Sequence, residues 1–403
     1  MAFGAGVRDD KLIALLEEAL TGVHKSDPLA RARLTGRLAE ALAFTAPLEH
    51  RQELIGRAVA TAEQTGDPRV LAYVLSNAHW ALWTPDNVQE RLRMADEIIR
   101  LARAARDHDL EFDGLHWRVS DLMELGAVAE AEREVTTWSE QAQEHRRLYP
   151  QWLVAVFRAM RKLEQGQLDE GERLALEAME IGQRGHNENA LQLLGVQLAT
   201  VRREQGRYSE LEPGLLAFVE QYPAIPAWRC ALALMFSESG RLPEARAQFD
   251  RLAGDRFEAI TRDMFWLPAM GIVSQVCVNL GDSERADQLY ELLSPFRDRN
   301  MMLGTVATSW GSAARTLGAL AATAGRLEVA AHDYEDALQH NARFRANVWL
   351  AHTQHEYAAL LAARGDPGDR SRAQELEAQA LEAAERMQLA RLTERKTPLR
   401  LVT

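Results

Sequence analysis

The segment His352-Thr-Gln-His355-Glu356 gathers two imidazoles and a carboxylate in a short stretch. On a helix, residues three apart share a face, so both rings could approach one metal ion. The HExxH metalloprotease motif sets its histidines four apart, with Glu beside the first. The segment here is neither that motif nor its inverted form, and no third ligand accompanies it. No zinc enzyme is expected, and no metal or cofactor is assigned. The two cysteines, Cys230 and Cys277, lie inside helical runs without a neighbouring His or a CxxC pair. A nucleophilic thiol is therefore not expected, and two free thiols suit a reducing compartment. No GxxxxGK[ST] phosphate cradle occurs. With none of these reaction centres, the chain reads as a non-enzyme. One chemistry stays open: arginines such as Arg118, Arg158, Arg202, Arg203, Arg229 and Arg315 can clasp a carboxylate or phosphate. The alternative is surface ion pairing of small energetic value.

These residues must be carried by helices. Ala, Leu, Glu and Arg dominate the chain and are good helix formers. Apolar residues recur at i, i+3, i+4 and i+7, as in Leu174, Ala175, Ala178 and Ile181. Alternating β-branched runs are missing, so strands are not expected. Of the 403 residues, 47% are apolar, enough for a large core, and the net charge of −12 disfavours a nucleic-acid surface. No apolar run approaches the roughly 20 residues needed to cross a bilayer. The beginning, Met1 to Val7, is too short for a signal peptide before the charged Arg8-Asp9-Asp10. A cytoplasmic setting without membrane contact is expected.

A turn then repeats. Gly126, Gly166, Gly206, Gly240, Gly281, Gly325 and Gly365 each end one helical run before another, at gaps of 40, 40, 34, 41, 44 and 40 residues. Such a period marks a solenoid of helix pairs. Each glycine is expected in the left-handed conformation that closes a helix. Seven residues earlier stand Ala159, Ala199, Ala233, Ser274, Gly318 and Ala358, small groups that let paired helices approach; Val119 is the larger exception. Five residues after the turn stand Ala131, Gly171, Ala245, Ala286 and Ala330, with Leu211 breaking the rule. Nine after it, Phe249, Tyr290 and Tyr334 fill the space between pairs. Trp152, Trp228, Trp266, Trp310 and Trp349 fall near the starts of first helices. They read as wedges between repeats, as do Trp80, Trp83 and Trp117; the alternative is the aromatic lining of a ligand site.

The N-terminal part is less regular. Residues 11–22 and 28–44 read as a helix pair, 48–65 as a further helix, and Arg69–Trp83 with Val88–Ala105 as the next pair. His79-Trp80 aligns with His116-Trp117 at a spacing of 37 residues. Three segments follow: degenerate capping pairs over 1–108, regular repeats over 109–386 and a flexible tail over 387–403. The tail, from Arg391 to Arg400, is basic and either frays or meets an acidic partner. The fold class is all-α, an α-α superhelix of about nine helix pairs.

The small–Gly–Ala–aromatic pattern, as in Gly318, Gly325, Ala330 and Tyr334, resembles the tetratricopeptide repeat, over roughly residues 110–385. Further phrases resemble one branch of that family: Thr65-Gly-Asp-Pro68, His79-Trp-Ala-Leu-Trp83-Thr-Pro-Asp-Asn87, Trp266-Leu-Pro268 and Trp349-Leu-Ala-His352-Thr. The branch is the C-terminal helical region of large bacterial signalling ATPases, of LuxR-family or nucleotide-cyclase-linked type. The resemblance implies an excised array or a stand-alone relative, since neither the P-loop nor a helix-turn-helix after Leu392 is found. It implies a sensor that binds a protein segment or effector in a concave groove, in signalling or transcriptional regulation. An ATPase module or regulator is the expected partner, with a small-molecule effector and self-association as further partner classes.

By the family's geometry, the residue ten before each turn Gly faces inward. That row is His116, Val156, Val196, Cys230, Gly271, Arg315 and His355, joined by His79 through its alignment with His116. With Arg118, Asp121, Arg158 and His352 on the same first helices, it implies a groove with polar ends and an apolar floor. The alternatives are a solvated polar row, or a stand-alone small-molecule-binding or catalytic solenoid using the same aromatic, His and Arg lining.

Overall fold

A computed structural model describes residues 6, 9–24 and 26–393. The chain forms two compact units. The first runs to Leu122 and includes Ala129–Pro150; the second comprises Met123–Val128 and the chain from Gln151. The sequence segments at 108 and 386 mark repeat regularity, a different property from these compact units.

Seven helices lie wholly or mostly in the first unit: α1 (Asp10–Gly22), α2 (Pro28–Ala41), α3 (Leu48–Thr65), α4 (Pro68–Ala81), α5 (Val88–Ala105), α6 (His108–Glu124) and α7 (Val128–Glu144). Asp27-Pro28 and Asp67-Pro68 start α2 and α4 by one device. Proline pre-sets the first helical φ, while the Asp side chain accepts from Ala30 N at 3.0 Å or from Arg69 N at 2.8 Å. α2 packs more extensively on α3 than on α1, and it also packs on α4. The first pair is therefore α2–α3, and α1 precedes it. This corrects the expected pairing of 11–22 with 28–44.

The second unit continues with α8 (Leu148–Glu164), α9 (Leu168–Arg184), α10 (Ala190–Glu204), α11 (Glu212–Gln221), α12 (Pro226–Glu238) and α13 (Leu242–Ala253). α14 (Trp266–Leu280) and α15 (Ser283–Leu293) follow, then the strands β1 (Asn300–Leu303) and β2 (Thr308–Ser312). The last elements are α16 (Ala313–Thr323), α17 (Leu327–Arg343), α18 (Asn347–Arg364), α19 (Asp369–Met387) and the single turn α20 (Ala390–Thr393). Among the described residues, the helices from α2 to α19 fall in chain order into nine consecutive pairs, and the fold is an all-α helical repeat. First helices stack on first helices: α12 on α14, α14 on α16 and α16 on α18.

All seven turn glycines hold positive φ, between 68° and 81°. At Gly325 the closing bonds run Gly325 N to Ala322 O at 3.1 Å and Arg326 N to Ala321 O at 2.8 Å, the Schellman arrangement. The small-residue rule is equally physical. A Cβ on Gly318 would stand 3.0–3.1 Å from the ring of Tyr334 on the paired helix.

The antiparallel β1–β2 hairpin corrects the expectation of no strands. It occupies the longest gap between turn glycines and carries Trp310, which therefore stands on β2 and not on a first helix. Its anchors come from far along the chain. Gln197 Nε2 donates to Ala307 O at 3.0 Å, and Trp349 Nε1 donates to Ser309 O at 2.9 Å.

The second unit also closes on itself. Leu163, Leu168 and Val201 share one buried cluster with Val348, Ala384, Met387, Leu389 and Leu392. The segment from 387 to 393 thus belongs to a core, which corrects the tail expected from 387; residues 394–403 lie outside the described residues.

Candidate functional site

The expected groove residues separate into two sealed networks and several isolated positions. In the first unit, α4 and α6 bring His79, His116 and Asp121 together. His79 Nε2 lies 2.8 Å from Asp121 Oδ2, and Arg91 Nη1 of α5 lies 2.7 Å from Asp121 Oδ1. The Arg91 guanidinium sits 3.8 Å over the ring of Trp83. His79 stacks on Trp117 at 4.7 Å, and Trp117 donates Nε1–H to Ser76 Oγ at 3.0 Å. Burial pushes the His79 imidazole below its usual range, with Asp121 opposing. Burial pushes His116 down to about 3, helped by His79. An Arg–Asp–His chain of this kind could orient a base, but His79 and Asp121 are fully buried, so no substrate reaches them.

In the second unit, His352 of α18 lies against Glu204 of α10, with Nε2 to Oε2 at 2.8 Å. Arg391 of α20 reaches the ring at 3.2 Å and Glu238 at 2.9 Å, while Arg203 holds Glu238 at 2.8 Å. Burial works to raise the Glu204 carboxyl, but His352, Arg391 and Arg203 outweigh it and hold it well below the usual carboxylate range. Burial lowers His352 to about 4, so it is neutral at pH 7. Beside it, Arg315 pairs with Glu356 at 2.7 Å and lies 4.8 Å from the Trp349 ring centre.

The open groove expected at these positions is thus corrected: His79, His116, Asp121, Cys230, Arg315 and His352 are buried. Their charged partners lie on other helices of the same unit, Asp121 meeting His79 and Arg91, Glu204 meeting His352, and Glu356 meeting Arg315, while His79 Nδ1 and Arg315 Nε keep no hydrogen-bond partner. Arg118 is a half-buried hub joining α5, α6 and α7 through Asp96, Glu130 and Glu134. Arg158 is exposed on α8. His355 bridges to Glu377 of α19 at 2.9 Å and does not join His352. Burial pushes the Cys230 thiol up to about 12. Among the described residues, no cluster of three or more His, Cys, Asp or Glu side chains could hold a metal ion. Of the proposed wedges, Trp152, Trp228, Trp266 and Trp349 are buried, and Trp310 is half-buried.

The concave site that the sequence reading missed lies in the first unit, between α2, α4 and α6. It is a cleft of about 370 Å³ lined by Arg33, Arg37, Glu40, Arg69, Tyr73, Asn77, Asp107, Asp109 and Asp113, among others. Arg33, Arg37 and Glu40 share one face of α2 at i, i+4 and i+7. Glu40 is only 2% exposed. Its Oε2 accepts from Asn77 Nδ2 at 2.5 Å and meets Arg37 Nη1 at 3.0 Å, while its Oε1 is buried without a hydrogen-bond partner. Burial pushes this carboxyl up to about 7, with Arg37 and Asn77 opposing. Burial likewise raises Asp113 to about 7. The signal was local: one acid flanked by Leu38, Ala39, Ala41 and Leu42. A count backward from turn glycines misses it, because α2 precedes the first of the seven.

Comparison with known proteins adds little to this geometry. No family model matches the chain, and no curated protein matches it. Among solved structures it is similar to a circular tandem repeat protein with novel repeat topology and enhanced subunit contact surfaces. That likeness is at 17% identity over 95% of this chain and 86% of the other, with a TM-score of 0.14.

Proposed function

We propose that this chain is a non-catalytic helical-repeat sensor whose effector enters the α2–α4–α6 cleft. The observation that carries the reading is Glu40, a buried carboxylate with one oxygen left unsatisfied in the wall of a concave site. An unmet buried acceptor is costly, and a ligand donor removes that cost. The sealing of His79, His116 and His352 favours recognition over turnover. The resemblance to the sensor arrays of signalling ATPases supports a place in bacterial signalling or transcription, with an ATPase module or regulator receiving the signal. A peptide lying along the first helices of the second unit is the weaker reading, because α20 already packs there against α10.

The test is a thermal-shift screen of the full chain against amino acids, nucleotides, sugar phosphates and organic acids. At a hundredfold excess over Kd, one ligand adds about 2.7 kcal/mol. At least one class should raise the melting temperature, and Tyr73→Ala should abolish the response. The reading fails if no class acts, or if the response survives in both Tyr73→Ala and Arg33→Ala.

A further inference from the structure

The charges around the cleft do not cancel completely. Arg37 is committed to Glu40 at 3.0 Å, Arg69 to Asp107 at 3.1 Å, and Asp109 to Arg147 at 2.8 Å. Arg33 and the free oxygens of Glu40 and Asn77 are not taken up in this way, and the Asp113 carboxyl also lines the cleft. Arg33, exposed at the rim, meets no carboxylate among the described residues and lies 5.0 Å from the Tyr73 ring centre. Deeper in, Glu40 Oε1 has no donor. A guest that meets these groups carries an anion at its outer end, facing Arg33, and a donor at its inner end, where the acidic Glu40 and Asp113 favour a cation.

The helix geometry sets the spacing. Asn77 marks the depth of Glu40 through their hydrogen bond, and Tyr73 marks the depth of Arg33. The two α4 residues are four apart, roughly 6 Å at 1.5 Å per residue, and Arg33 and Glu40 are seven apart on α2, roughly 10 Å, which brackets the length of the guest. The Tyr73 ring lines the cleft at the Arg33 level as an apolar wall. We propose that the cleft binds a small zwitterion whose primary ammonium and carboxylate are separated by several methylene or backbone atoms, such as an ω-amino acid or a dipeptide. The ammonium donates to Glu40 Oε1, the carboxylate pairs with Arg33, and the linking chain lies along Tyr73. Arg37 already faces Glu40 Oε2, and the incoming ammonium fills the remaining acceptor, Oε1, whose burial without a donor is costly. The identity of this ligand class rests on the effector-cleft reading above.

Titration calorimetry of the full chain with glycine, β-alanine, 4-aminobutyrate, 6-aminohexanoate, hexylamine and hexanoate tests the proposal. Affinity should rise from glycine toward the longer ω-amino acids, and both single-charge compounds should bind at least tenfold more weakly than 6-aminohexanoate. Arg33→Ala should weaken 6-aminohexanoate at least tenfold and leave hexylamine unchanged. Glu40→Gln should weaken 6-aminohexanoate and leave hexanoate unchanged. Because Arg33 is exposed, its variant keeps the test decisive even if Glu40→Gln unfolds. Equal binding of hexanoate and 6-aminohexanoate overturns the zwitterion, as does a flat response to length. If every probe fails while another class still acts through Tyr73 in the screen, the zwitterion falls and the effector cleft stands. If both fail, the cleft reading falls as well.

Discussion

His352 and Glu204 lie 148 residues apart in sequence, yet Nε2 of the first sits 2.8 Å from Oε2 of the second, with both side chains buried. A neutral ring suits the site. Its Nε2–H donates to the ionised Glu204, while Arg391 Nη1 lies 3.2 Å from Nδ1. The last helical turn is thereby locked to the fifth pair by charge-assisted hydrogen bonds.

The pH dependence follows from burial. His352 is lowered to about 4 in the folded chain, against 6.5 for an ordinary imidazole. Below pH 6.5 the unfolded chain takes up a proton that the folded chain refuses, so this stability is full above 6.5 and is lost as pH falls toward 4. The change is roughly 3 kcal/mol at 1.36 kcal/mol per unit. Glu40 and Asp113, raised to about 7, change in the opposite sense across part of that window. The diagnostic is therefore the difference in urea-unfolding free energy between wild type and His352→Gln. It should narrow by about 3 kcal/mol from pH 7.5 to pH 4.5. A constant difference across that range refutes the burial argument.

Arg315 gives a second prediction. An open groove would let Arg315→Ala pass with little loss of stability. In the structure the substitution takes the Arg315 guanidinium away from Glu356, which is 4% exposed. Removing one partner of a buried pair costs about 3–5 kcal/mol, whereas replacing both with apolar groups is often neutral. Chemical denaturation should show Arg315→Ala strongly destabilised, and Arg315→Met with Glu356→Leu close to wild type. An unaffected Arg315→Ala would restore the open groove.

What was legible in the sequence was local. The turn glycines, the Gly318–Tyr334 contact and the Asp-Pro helix starts are decided within one repeat, so spacing alone reveals them. The hairpin was not legible. Met301, Met302 and Trp310 carry no β-branched alternation, and the strands are held by Gln197 and Trp349 from other repeats. The 44-residue gap recorded the insertion without revealing its form. The closure of the second unit was hidden for the same reason: Glu204, His352 and Arg391 have no relation in spacing, only in space. Glu40 was visible as an acid in an apolar run, but its unsatisfied oxygen is a property of the packed helices.

The thiols should be inert. Burial raises Cys230 to about 12 and raises Cys277 as well, where the Asp282 charge adds to the effect. Thiolate is the reactive form, so the folded chain should alkylate with iodoacetamide at least 100-fold more slowly than the chain in urea, in line with burial of the nucleophile. Mass mapping of each cysteine supplies the measurement, and rapid native modification of either one contradicts it.

Two glycines separate backbone strain from packing. Gly240 has φ +77° with nothing within 4 Å of an added Cβ, whereas Gly126 has φ +73° and an added Cβ would overlap the Phe344 ring. Gly240→Ala therefore pays only for the left-handed conformation, about 1–2 kcal/mol. Gly126→Ala carries that cost plus overpacking, for a total of about 2–5 kcal/mol. Phe344→Ala opens a cavity of its own, yet it also removes the overlap. The double variant Gly126→Ala/Phe344→Ala should then be less destabilised than the sum of its parts, by 1 kcal/mol or more, as expected for residues in contact. No such coupling is expected between Gly240→Ala and Phe344→Ala. Unfolding free energies for the two cycles decide the matter, and additivity in both would mean that Phe344 does not seat on the turn at Gly126.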